Sequence, residues 1–456
     1  MNLRERKLLI LGLGESGLAM ARWACREGAC VTVADSRAAP PEENRELAQR
    51  AGARVLTGEW SESLLDGIDV VGISPGLPVG GALPKAALAR GIPVVSEIEL
   101  FAWALETYAP NAQVLAITGS NGKTTTTALT AHLVNAGGKC AVAAGNISPS
   151  ALDALMDALN HKNLPDVWVL ELSSFQLETT LHLRAAGATV LNVSEDHLDR
   201  YSGMDDYAAA KARVFRAADR AVLNRDDERV WAMRGDCPDA YSFGLNPTSG
   251  AGDFGYENGC LMKGRQPLVE ASQLALSGTH NVANALAALA LSECVGLKAE
   301  ALVSALCAFK GLPHRVEWVA AEHGIDYYDD SKGTNVGATL AAVQGMGRKV
   351  AIILGGDGKG QDFSPLKEAL SAHACAVALI GRDAEAIAAA IAGCGVTPKY
   401  CVDMTEAVAW CRAEAKAGEA VLLSPACASL DMFRNYAHRA EVFIQAVKQQ
   451  INGGGQ

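Results

Sequence analysis

The sequence predicts an α/β protein of three domains. Its 456 residues exceed the roughly 100 to 200 residues of one typical domain. Short apolar runs, typical of buried parallel strands, alternate with helical patterns along most of the chain. This alternation is interrupted near residues 102–112 and again at Gly311-Leu312-Pro313. We therefore expect domains at residues 1–102, 103–311 and 312–456.

The composition indicates a folded globular protein and argues against several kinds of binding site. Hydrophobic residues make up 49% of the chain and charged residues 20%, as in folded globular proteins. The net charge of -11 comes without a basic block, so we expect no nucleic-acid partner, because binding one needs cationic side chains against the phosphates. None of the twelve cysteines forms a Cys-x-x-Cys pair, which argues against a zinc ribbon or a redox motif.

The chain carries no pattern that indicates export or membrane insertion. Residues 8–11 form a short apolar run that ends in glycines, unlike the core of a signal peptide. No uncharged apolar stretch reaches the roughly 18 residues of a membrane span. We expect a cytoplasmic protein.

The first domain begins with a glycine-rich turn. We predict strands at residues 8–11, 31–34 and 70–74, with a helix starting near Ser16. Gly12, Gly14 and Gly17 follow the first strand, and Asp35 ends the second. Such glycines bring backbone close to a diphosphate, and the acid can hold a ribose hydroxyl. Tight packing of strand on helix without a ligand is the alternative interpretation.

The middle domain carries the strongest local motif, between a predicted strand at residues 114–117 and a helix that ends near residue 136. Its residues are Gly119, Ser120, Asn121, Gly122, Lys123, Thr124 and Thr125. Glycines let backbone N–H groups surround phosphate oxygens, the lysine neutralises charge, and Thr124 offers a hydroxyl to Mg²⁺. Ile117 stands where the full Walker pattern has its first glycine. We expect a shortened phosphate loop that binds ATP, with an ordinary glycine-rich turn as the alternative.

Acidic side chains follow two further predicted strands of the middle domain, at residues 167–172 and 189–193. Glu171 ends the first, and the second leads into Ser194-Glu195-Asp196-His197-Leu198-Asp199. Mg²⁺ prefers oxygen ligands, and this edge of an α/β sheet is where ligands bind. We therefore predict a metal site there.

Lys211, among small helical residues, is typical of a solvated lysine. Two alanine-rich helices are predicted at 281–294 and 299–309.

The last domain repeats the alternating pattern, with strands predicted at 350–354, 377–380, 400–402 and 421–423. Polar loops at 330–335, 355–359 and 424–429 follow strands. Each loop alone is typical of a turn. Together, at one sheet edge, they predict a pocket for an anionic substrate.

Taken as a set, these segments resemble the Mur ligase family, most closely its D-glutamate-adding members. The resemblance covers the whole chain and rests on TGSNGKTT, ELSSFQLE, NVSEDHLDRY, His280-Asn281 to Asn284, LPHR, DSKGTN, GGDGK and SPACASLDMF. Three other classes remain as alternatives: a folylpolyglutamate-type ligase, which would lack the glycine-rich first domain; a nicotinamide-dependent oxidoreductase; and a nucleotide-binding regulator without turnover.

The resemblance implies Rossmann-like first and third domains around a central P-loop ATPase-type α/β domain. It implies that ATP phosphorylates the terminal carboxylate of UDP-N-acetylmuramoyl-L-alanine, and that the amine of D-glutamate then displaces phosphate. It further implies two Mg²⁺ ions, carbamylation of Lys211, and a monomer. Because the sites lie on three domains, we expect an open form without ligands that closes on binding.

The resemblance also assigns roles to single residues. It implies these catalytic residues: Lys123, His197, Lys211 and Lys332. It implies that ATP is bound by Gly119, Ser120, Asn121, Gly122, Lys123, Thr124, Thr125, Asn281, Asn284, Arg315 and Asp330. It implies that the UDP-substrate is bound by Gly14, Ser16, Asp35, Ser36, Arg37, Gly76, Asn146, Ser173, Gln176 and His197. It implies that D-glutamate is bound by Thr334, Lys359, Ser429, Leu430 and Tyr436, and that metal is bound by Thr124, Glu171, His197 and carbamylated Lys211. Tyr436 and Gly333 stand where the family usually has phenylalanine and alanine.

Overall fold

The computed structural model describes residues 1–197, 200–235, 240–248, 250–276 and 278–453. Leu198 and Asp199 of the acidic motif lie outside the described residues. The described chain forms three sheets, one in each domain. Among the helices that the structure describes, none combines the length and the apolar character that crossing a membrane requires.

The first domain is a five-stranded parallel sheet in the order β3-β2-β1-β4-β5. The central strand is fully buried from Leu8 to Leu11, as its apolar run predicts. Gly17 is required for close packing, because a Cβ there would lie 1.9 Å from the Gly12 carbonyl oxygen. The elements are β1 (Lys7–Leu11), α1 (Glu15–Arg26), β2 (Cys30–Asp35), α2 (Glu42–Arg50), β3 (Arg54–Thr57), a 3₁₀ turn (Glu62–Leu65), β4 (Val70–Ile73), α3 (Ala82–Ala89), β5 (Val94–Val95) and α4 (Glu97–Tyr108).

The middle domain has nine strands in the order β14-β13-β12-β11-β10-β9-β6-β8-β7. The strands β6 to β12 run parallel, and β13 and β14 add an antiparallel edge. The elements are β6 (Gln113–Thr118), α5 (Lys123–Ala136), β7 (Ala141–Gly145), α6 (Ala151–His161), β8 (Val167–Glu171), α7 (Ser174–Glu178), β9 (Gly187–Val190), α8 (Met204–Ala212), a 3₁₀ turn (Arg213–Phe215), β10 (Ala221–Asn224), α9 (Glu228–Ala232), β11 (Tyr241–Phe243), β12 (Asp253–Glu257), β13 (Cys260–Lys263), β14 (Gln266–Glu270), a 3₁₀ turn (Ala271–Gln273), α10 (Thr279–Cys294) and α11 (Ala299–Ala308).

One strand of the middle domain is shorter than the sequence predicts. The strand expected at 189–193 ends at Val190. The next residues are held by the phosphate loop instead, because Ser120 N donates to the Asn192 carbonyl and Asn121 N to the Asn192 side chain, at 2.9 and 2.8 Å. The acidic motif is therefore anchored to the loop that precedes α5.

The third domain has six strands in the order β15-β16-β20-β17-β18-β19, with only β15 antiparallel among them. The strand predicted at 400–402 is confined to Lys399–Tyr400, and Val402 is exposed. The elements are β15 (Glu317–Glu322), β16 (Ile325–Asp329), α12 (Val336–Gly345), β17 (Val350–Gly355), α13 (Leu366–His373), β18 (Ala374–Ile380), α14 (Ala384–Ala390), β19 (Lys399–Tyr400), α15 (Met404–Glu414), β20 (Ala420–Leu423) and α16 (Tyr436–Gly453).

The first and middle domains share a hydrophobic core across α4. Phe101 of that helix packs edge-on against Trp168 of β8, with ring centroids 5.2 Å apart. Two buried acids of the same helix also reach the middle domain: Glu97 accepts a hydrogen bond from Leu152 N, and Glu99 accepts one from Leu181 N, both at 2.6 Å. Helix α4, which runs through residue 102, therefore joins these two domains firmly.

The third domain meets the middle domain through polar contacts and through α12, where a Cβ on Gly345 would lie 3.1 Å from the His280 ring of α10. Arg315 Nη2 donates to Thr124 Oγ1 at 2.7 Å, and Asn335 Nδ2 lies 3.5 Å from Asp196 Oδ2. Both contacts bring the third domain's loops against the phosphate loop and the acidic motif. The open form expected from the sequence stays a prediction.

Candidate active site

The phosphate loop lies between β6 and α5, as predicted. Gly122 has a φ of +82°, and a Cβ there would lie 2.5 Å from Asn284 Oδ1. Lys123 Nζ donates to the carbonyl oxygens of Gly119 and Ser120, each at 2.8 Å. Burial lowers the pKa of Lys123, while nearby Glu171 opposes that shift. The ammonium is thus held across the loop, where it can turn toward a phosphate.

A cavity of about 280 Å³ lies beside this loop, between the middle and third domains. It brings together seven of the residues predicted to bind ATP: Asn121, Gly122, Thr125, Asn281, Asn284, Arg315 and Asp330. It also has lining residues that the sequence did not assign to a site, including Asn224, Phe243 and Leu276. The cavity therefore combines polar side chains near the phosphate loop with apolar ones suited to a nucleotide base.

His280, at the start of α10, also lines this cavity. Burial lowers its pKa to about 4, and its Nδ1 has no hydrogen-bond partner among the described residues. The imidazole is therefore neutral at physiological pH and presents an unused nitrogen beside the cavity.

Glu171 supplies an available carboxylate next to the phosphate loop. It is 3% exposed at the end of β8, and it pairs in register with Ile117 of β6. Asn146 Nδ2 donates to its Oε1 at 2.9 Å, whereas the buried Oε2 has no partner among the described residues. Burying a carboxylate oxygen that lacks a hydrogen bond destabilises the protein unless a cation binds it, so the site fits Mg²⁺.

His197 lies in the same region, with a φ of +57°. Its ring packs 4.8 Å from that of Phe175, and its Nε2 is 3.6 Å from Asp196 Oδ2. Burial lowers the pKa of His197, although Asp196 opposes the shift. A neutral imidazole keeps a lone pair for a metal ion.

The expectation from the residues alone that Lys211 is a solvated lysine is wrong. Its side chain is 2% exposed, donates to the Gly119 carbonyl at 2.8 Å, and lies over the Tyr207 ring at 4.3 Å. Burial, and then repulsion from Lys123, lower the pKa of Lys211 well below 10.5. A neutral amine beside the phosphate loop is the form that reacts with carbon dioxide.

The three polar loops of the third domain follow β16, β17 and β20, which are adjacent parallel strands. Ser424 Oγ donates to Asp330 at 2.7 Å, and burial raises the pKa of Asp330 to about 7. Lys332 Nζ lies 3.7 Å from the centroid of the Tyr436 ring. The loops thus meet at one edge of the sheet, as the sequence predicts.

The other residues predicted to bind D-glutamate differ in exposure. Thr334 is half-buried and donates its N–H to the Lys332 carbonyl, and Ser429 is buried. Lys359 is exposed with a φ of +52°, and the Leu430 side chain is 73% exposed. The structure therefore places an exposed cation and an exposed apolar side chain at the rim of this loop cluster.

The residues predicted to bind the UDP-substrate lie in two groups. Asp35 is buried and paired internally: it accepts from Leu13 N at 2.7 Å and from the Arg37 guanidinium at 2.8 Å. The hydrogen bond from Arg37 is the main reason that the pKa of Asp35 falls to about 2. Asp35 therefore fixes the loop in which it lies. Gly14, Ser16, Ser36, Arg37 and Gly76 lie in the same domain, at the carboxyl ends of its strands or at the start of α1.

The second group belongs to the middle domain. Asn146 lies just after β7 and contacts Glu171, as described above. Ser173 and Gln176 form a capping box at the start of α7, with hydrogen bonds in both directions. Those two polar groups hold the loop that follows Glu171.

Sequence reasoning missed Arg439, a fully buried arginine on α16. Its guanidinium donates to Ser331 Oγ, to the Ser331 carbonyl and to the Cys427 carbonyl, at 3.0, 2.8 and 3.0 Å. It ties together the loops that carry Lys332 and Ser429. The available signal was its spacing, because Arg439 shares a helix face with the apolar Phe443 and Val447.

Comparison with known proteins identifies the family. Family models match at residues 6–96 (Mur ligase MurD-like, N-terminal domain), 117–292 (Mur ligase middle domain) and 314–427 (Mur ligase, glutamate ligase domain). The UDP-N-acetylmuramoylalanine--D-glutamate ligase of Dechloromonas aromatica is 60% identical and covers 98% of this chain and 99% of its own length. The protein of the same name from Nitrosomonas europaea is 50% identical, over 98% of this chain and 97% of its own.

Solved structures share the fold at low identity. UDP-N-acetylmuramate-alanine ligase MurC of Thermotoga maritima has a TM-score of 0.61 at 21% identity, over 97% of this chain and 99% of that one. MurF of Acinetobacter baumannii has a TM-score of 0.63 at 16% identity, over 96% and 93%. Three consecutive family models and full-length relatives at 50% identity or more lead to one conclusion: this chain belongs to the Mur ligase family.

Proposed function

We propose that this chain is an ATP-dependent ligase that joins D-glutamate to UDP-N-acetylmuramoyl-L-alanine, a step of peptidoglycan precursor synthesis. Its full-length relatives carry that activity in their names. The observation that carries the proposal is the convergence of Lys123, the unpartnered Glu171 oxygen and the buried Lys211 on one phosphate loop. A phosphate loop with these neighbours suits the activation of a carboxylate by ATP.

We assign the three substrates to the three domains, with boundaries at 1–102, 103–311 and 312–456. The first domain, together with Asn146, Ser173, Gln176 and His197, holds the UDP-substrate through Gly14, Ser16, Asp35, Ser36, Arg37 and Gly76. The cavity beside the phosphate loop holds ATP. Thr334, Lys359, Ser429, Leu430 and Tyr436 hold D-glutamate.

The first chemical step makes the carboxylate reactive. A substrate carboxylate oxygen attacks the γ-phosphorus of ATP, the bond to the bridging oxygen breaks, and ADP leaves. Lys123 and Arg315 both supply positive charge at the phosphate loop, since Lys123 Nζ contacts the Gly119 carbonyl at 2.8 Å and Arg315 Nη2 contacts the Thr124 hydroxyl at 2.7 Å. Charge neutralisation at crowded phosphate oxygens is the main contribution that a protein makes to this step.

The second step forms the amide. The uncharged amine of D-glutamate attacks the acyl carbon, the carbon–oxygen bond to phosphate breaks, and phosphate carries away the electron pair. The nitrogen releases one proton, which the departing phosphate or solvent takes up. Lys332 and Lys359 are two cations at this edge, and we assign them to the acid groups of D-glutamate and to the departing phosphate. Lys332 is oriented by its contact with the Tyr436 ring.

We propose two Mg²⁺ ions, held by Thr124, Glu171, His197 and Lys211 as a carbamate. Mg²⁺, when bound, supplies neutralising charge between the phosphate groups of ATP. The chain's own contribution is to hold these ligands around the loop. The neutral Lys211 amine would add to carbon dioxide and release a proton, which turns a buried neutral group into an anion.

We further propose that the protein works as a monomer in the cytoplasm. The membership of this chain in the Mur ligase family supports this view.

Phosphate release tests the function. The assay contains ATP, Mg²⁺ and UDP-N-acetylmuramoyl-L-alanine, and compares D-glutamate with L-glutamate, L-alanine, L-lysine and meso-diaminopimelate. We expect release only when both the UDP-substrate and D-glutamate are present. Release with a different amino acid would keep the reaction but change the acceptor, and no release with any of them would refute the proposal.

A further inference from the structure

Arg200 is a middle-domain residue that reaches the first domain. Its Nη1 donates to the carbonyl oxygens of Pro75 and Gly76, both at 3.3 Å, and its Nη2 donates to that of Leu77 at 2.6 Å. Three consecutive carbonyls of one loop thus converge on a single guanidinium. This loop directly follows β4, at the edge of the first sheet where ligands of α/β proteins bind.

The guanidinium of Arg200 also contacts the middle domain. The guanidinium carbon lies 4.4 Å from the centroid of the Phe175 ring. Phe175 in turn packs against His197 at 4.8 Å and stacks on Tyr201 at 5.8 Å. Arg200 therefore connects the first domain's loop to the aromatic group that surrounds His197.

We propose that Arg200 is a positioning residue that sets the first domain's loop at residues 75–77 relative to the reacting centre. The proposal rests on the proposed function, in which Gly76 belongs to the UDP-substrate site. Backbone carbonyls need donors, and the planar fork of arginine can satisfy several at fixed angles. Arg200 would thereby place the carboxylate end of the UDP-substrate opposite Lys123.

This role differs from holding the two domains together. The shared core across α4 already joins them, with Phe101 against Trp168 and buried Glu97 and Glu99 in contact with the middle domain. Loss of Arg200 should therefore leave the fold intact. Arg200 is also absent from the residues that line the nucleotide cavity, so ATP binding should change little.

The test compares wild type with Arg200→Lys and Arg200→Met. Lysine keeps the charge but lacks the fork, so both variants should lose the loop geometry. We expect the KM for the UDP-substrate to rise about tenfold, the effect of losing one hydrogen bond to a charged group. The KM for ATP should stay within about twofold, since its cavity is separate. Arg216→Met is the matched control, because Arg216 is exposed and lines the same cleft as Arg200.

A second measurement needs no ligand. Leu77 N donates to the Ser74 carbonyl and Gly81 N to the Pro78 carbonyl, both at 3.0 Å. Hydrogen exchange of the peptide that covers residues 74–81 should be faster in Arg200→Met than in wild type, and unchanged in Arg216→Met.

Two results would overturn the inference. One is an unchanged KM for the UDP-substrate in both Arg200 variants. The other is an equal rise in both KM values together with a lower melting temperature, which would indicate a merely structural role. A wild-type protein without turnover would instead refute the proposed function, and the exchange comparison distinguishes that case because it depends on no substrate.

Discussion

Lys211 shows how burial can change the chemistry of a side chain. In water its amine would be an ammonium ion that cannot attack carbon dioxide. In the protein, burial and the neighbouring Lys123 favour the neutral amine, whose nitrogen still donates to the Gly119 carbonyl. Lys123 would favour a carbamate, because its positive charge attracts an anion, whereas burial alone would disfavour one.

We predict that Lys211 carries a carbamate in protein incubated with ¹³C-bicarbonate. A carbamate resonance should appear in the ¹³C spectrum of wild type and be missing from Lys211→Met. Activity of that variant should fall by about a hundredfold or more, as when a preorganised charged group is removed from an active site. Lys139→Met serves as the control, because Lys139 bonds to Gln113 on another part of the domain. Persistence of the signal in Lys211→Met would refute the assignment.

Arg439 gives a second prediction. Arg439→Met leaves three acceptors on Ser331 and Cys427 without their donor, so the free energy of unfolding of the third domain should fall by about 2 to 4 kcal/mol. The KM for D-glutamate should rise, because both loops that Arg439 joins carry residues assigned to that substrate. Denaturation curves and kinetics measure the two effects.

Arg439→Lys should recover part of the stability, since it keeps one donor. Arg434→Met should keep the wild-type free energy of unfolding and the wild-type KM for D-glutamate, because Arg434 is exposed just before α16. Equal stability of Arg439→Met and wild type would contradict the prediction.

The sequence predicted some of these residues and could not predict others. The phosphate loop depends on glycine, lysine and threonine at fixed spacing after one strand, so a local pattern suffices to find it. The burial of Lys211 and of Arg439 arises when distant segments pack together. The spacing of Arg439 with Phe443 and Val447 indicates a helix face that could be buried, but it does not identify the acceptors of the arginine. The pattern around Lys211 did not distinguish it from a surface cation.

Helix α4 lies at the boundary between the first and middle domains and belongs to the packing of both. It completes the first domain and also contributes Phe101, Glu97 and Glu99 to the contact with the middle domain. Glu97 is fully buried, and only its Oε1 accepts a hydrogen bond, from Leu152 N; Oε2 has no partner among the described residues. Burial raises the pKa of Glu97 from 4.5 to about 8.

This raised pKa predicts a pH-dependent stability. The native state binds the proton more tightly than the unfolded chain, so the stabilisation is complete below pH 4.5 and is lost as the pH rises to about 8. Glu97→Gln mimics the neutral acid. Its melting temperature should match that of wild type near pH 5 and exceed it near pH 8.

Glu106→Gln is the control, because Glu106 is exposed on the same helix. Thermal denaturation across this pH range measures the difference. A constant gap between Glu97→Gln and wild type would contradict the assignment of the proton to Glu97.

Strands and helices with strong apolar patterns could be predicted from the sequence, and their bounds differ little from those observed. β1, β6, β8 and β17 are examples, because their residues are buried on both faces. The antiparallel hairpin of β13 and β14 was not predicted, since its strands are only four and five residues long and partly exposed. The early end of β9 was also missed, because it depends on contacts with the distant phosphate loop.

The arrangement of the whole molecule leads to a prediction about closure. The third domain meets the middle one through two polar pairs, Arg315 with Thr124 and Asn335 with Asp196, and through Gly345 of α12 beside His280 of α10. Its apolar clusters contain only its own residues among those described, so no apolar cluster joins it to the middle domain. Polar contacts exchange readily with water, so this contact should open without ligands.

Small-angle X-ray scattering tests this expectation. The radius of gyration should decrease when an ATP analogue and the UDP-substrate are added to ligand-free protein. Scattering curves that stay the same on addition of both ligands would count against a moving third domain.

The core that the first two domains share across α4 also affects which domains unfold together. Because one apolar cluster includes Trp23, Phe101 and Trp168, we expect the first two domains to lose their packing together. The third domain has clusters of its own, so we expect it to melt while the rest persists. A chain of three domains by architecture should therefore unfold in heat or denaturant as two cooperative units.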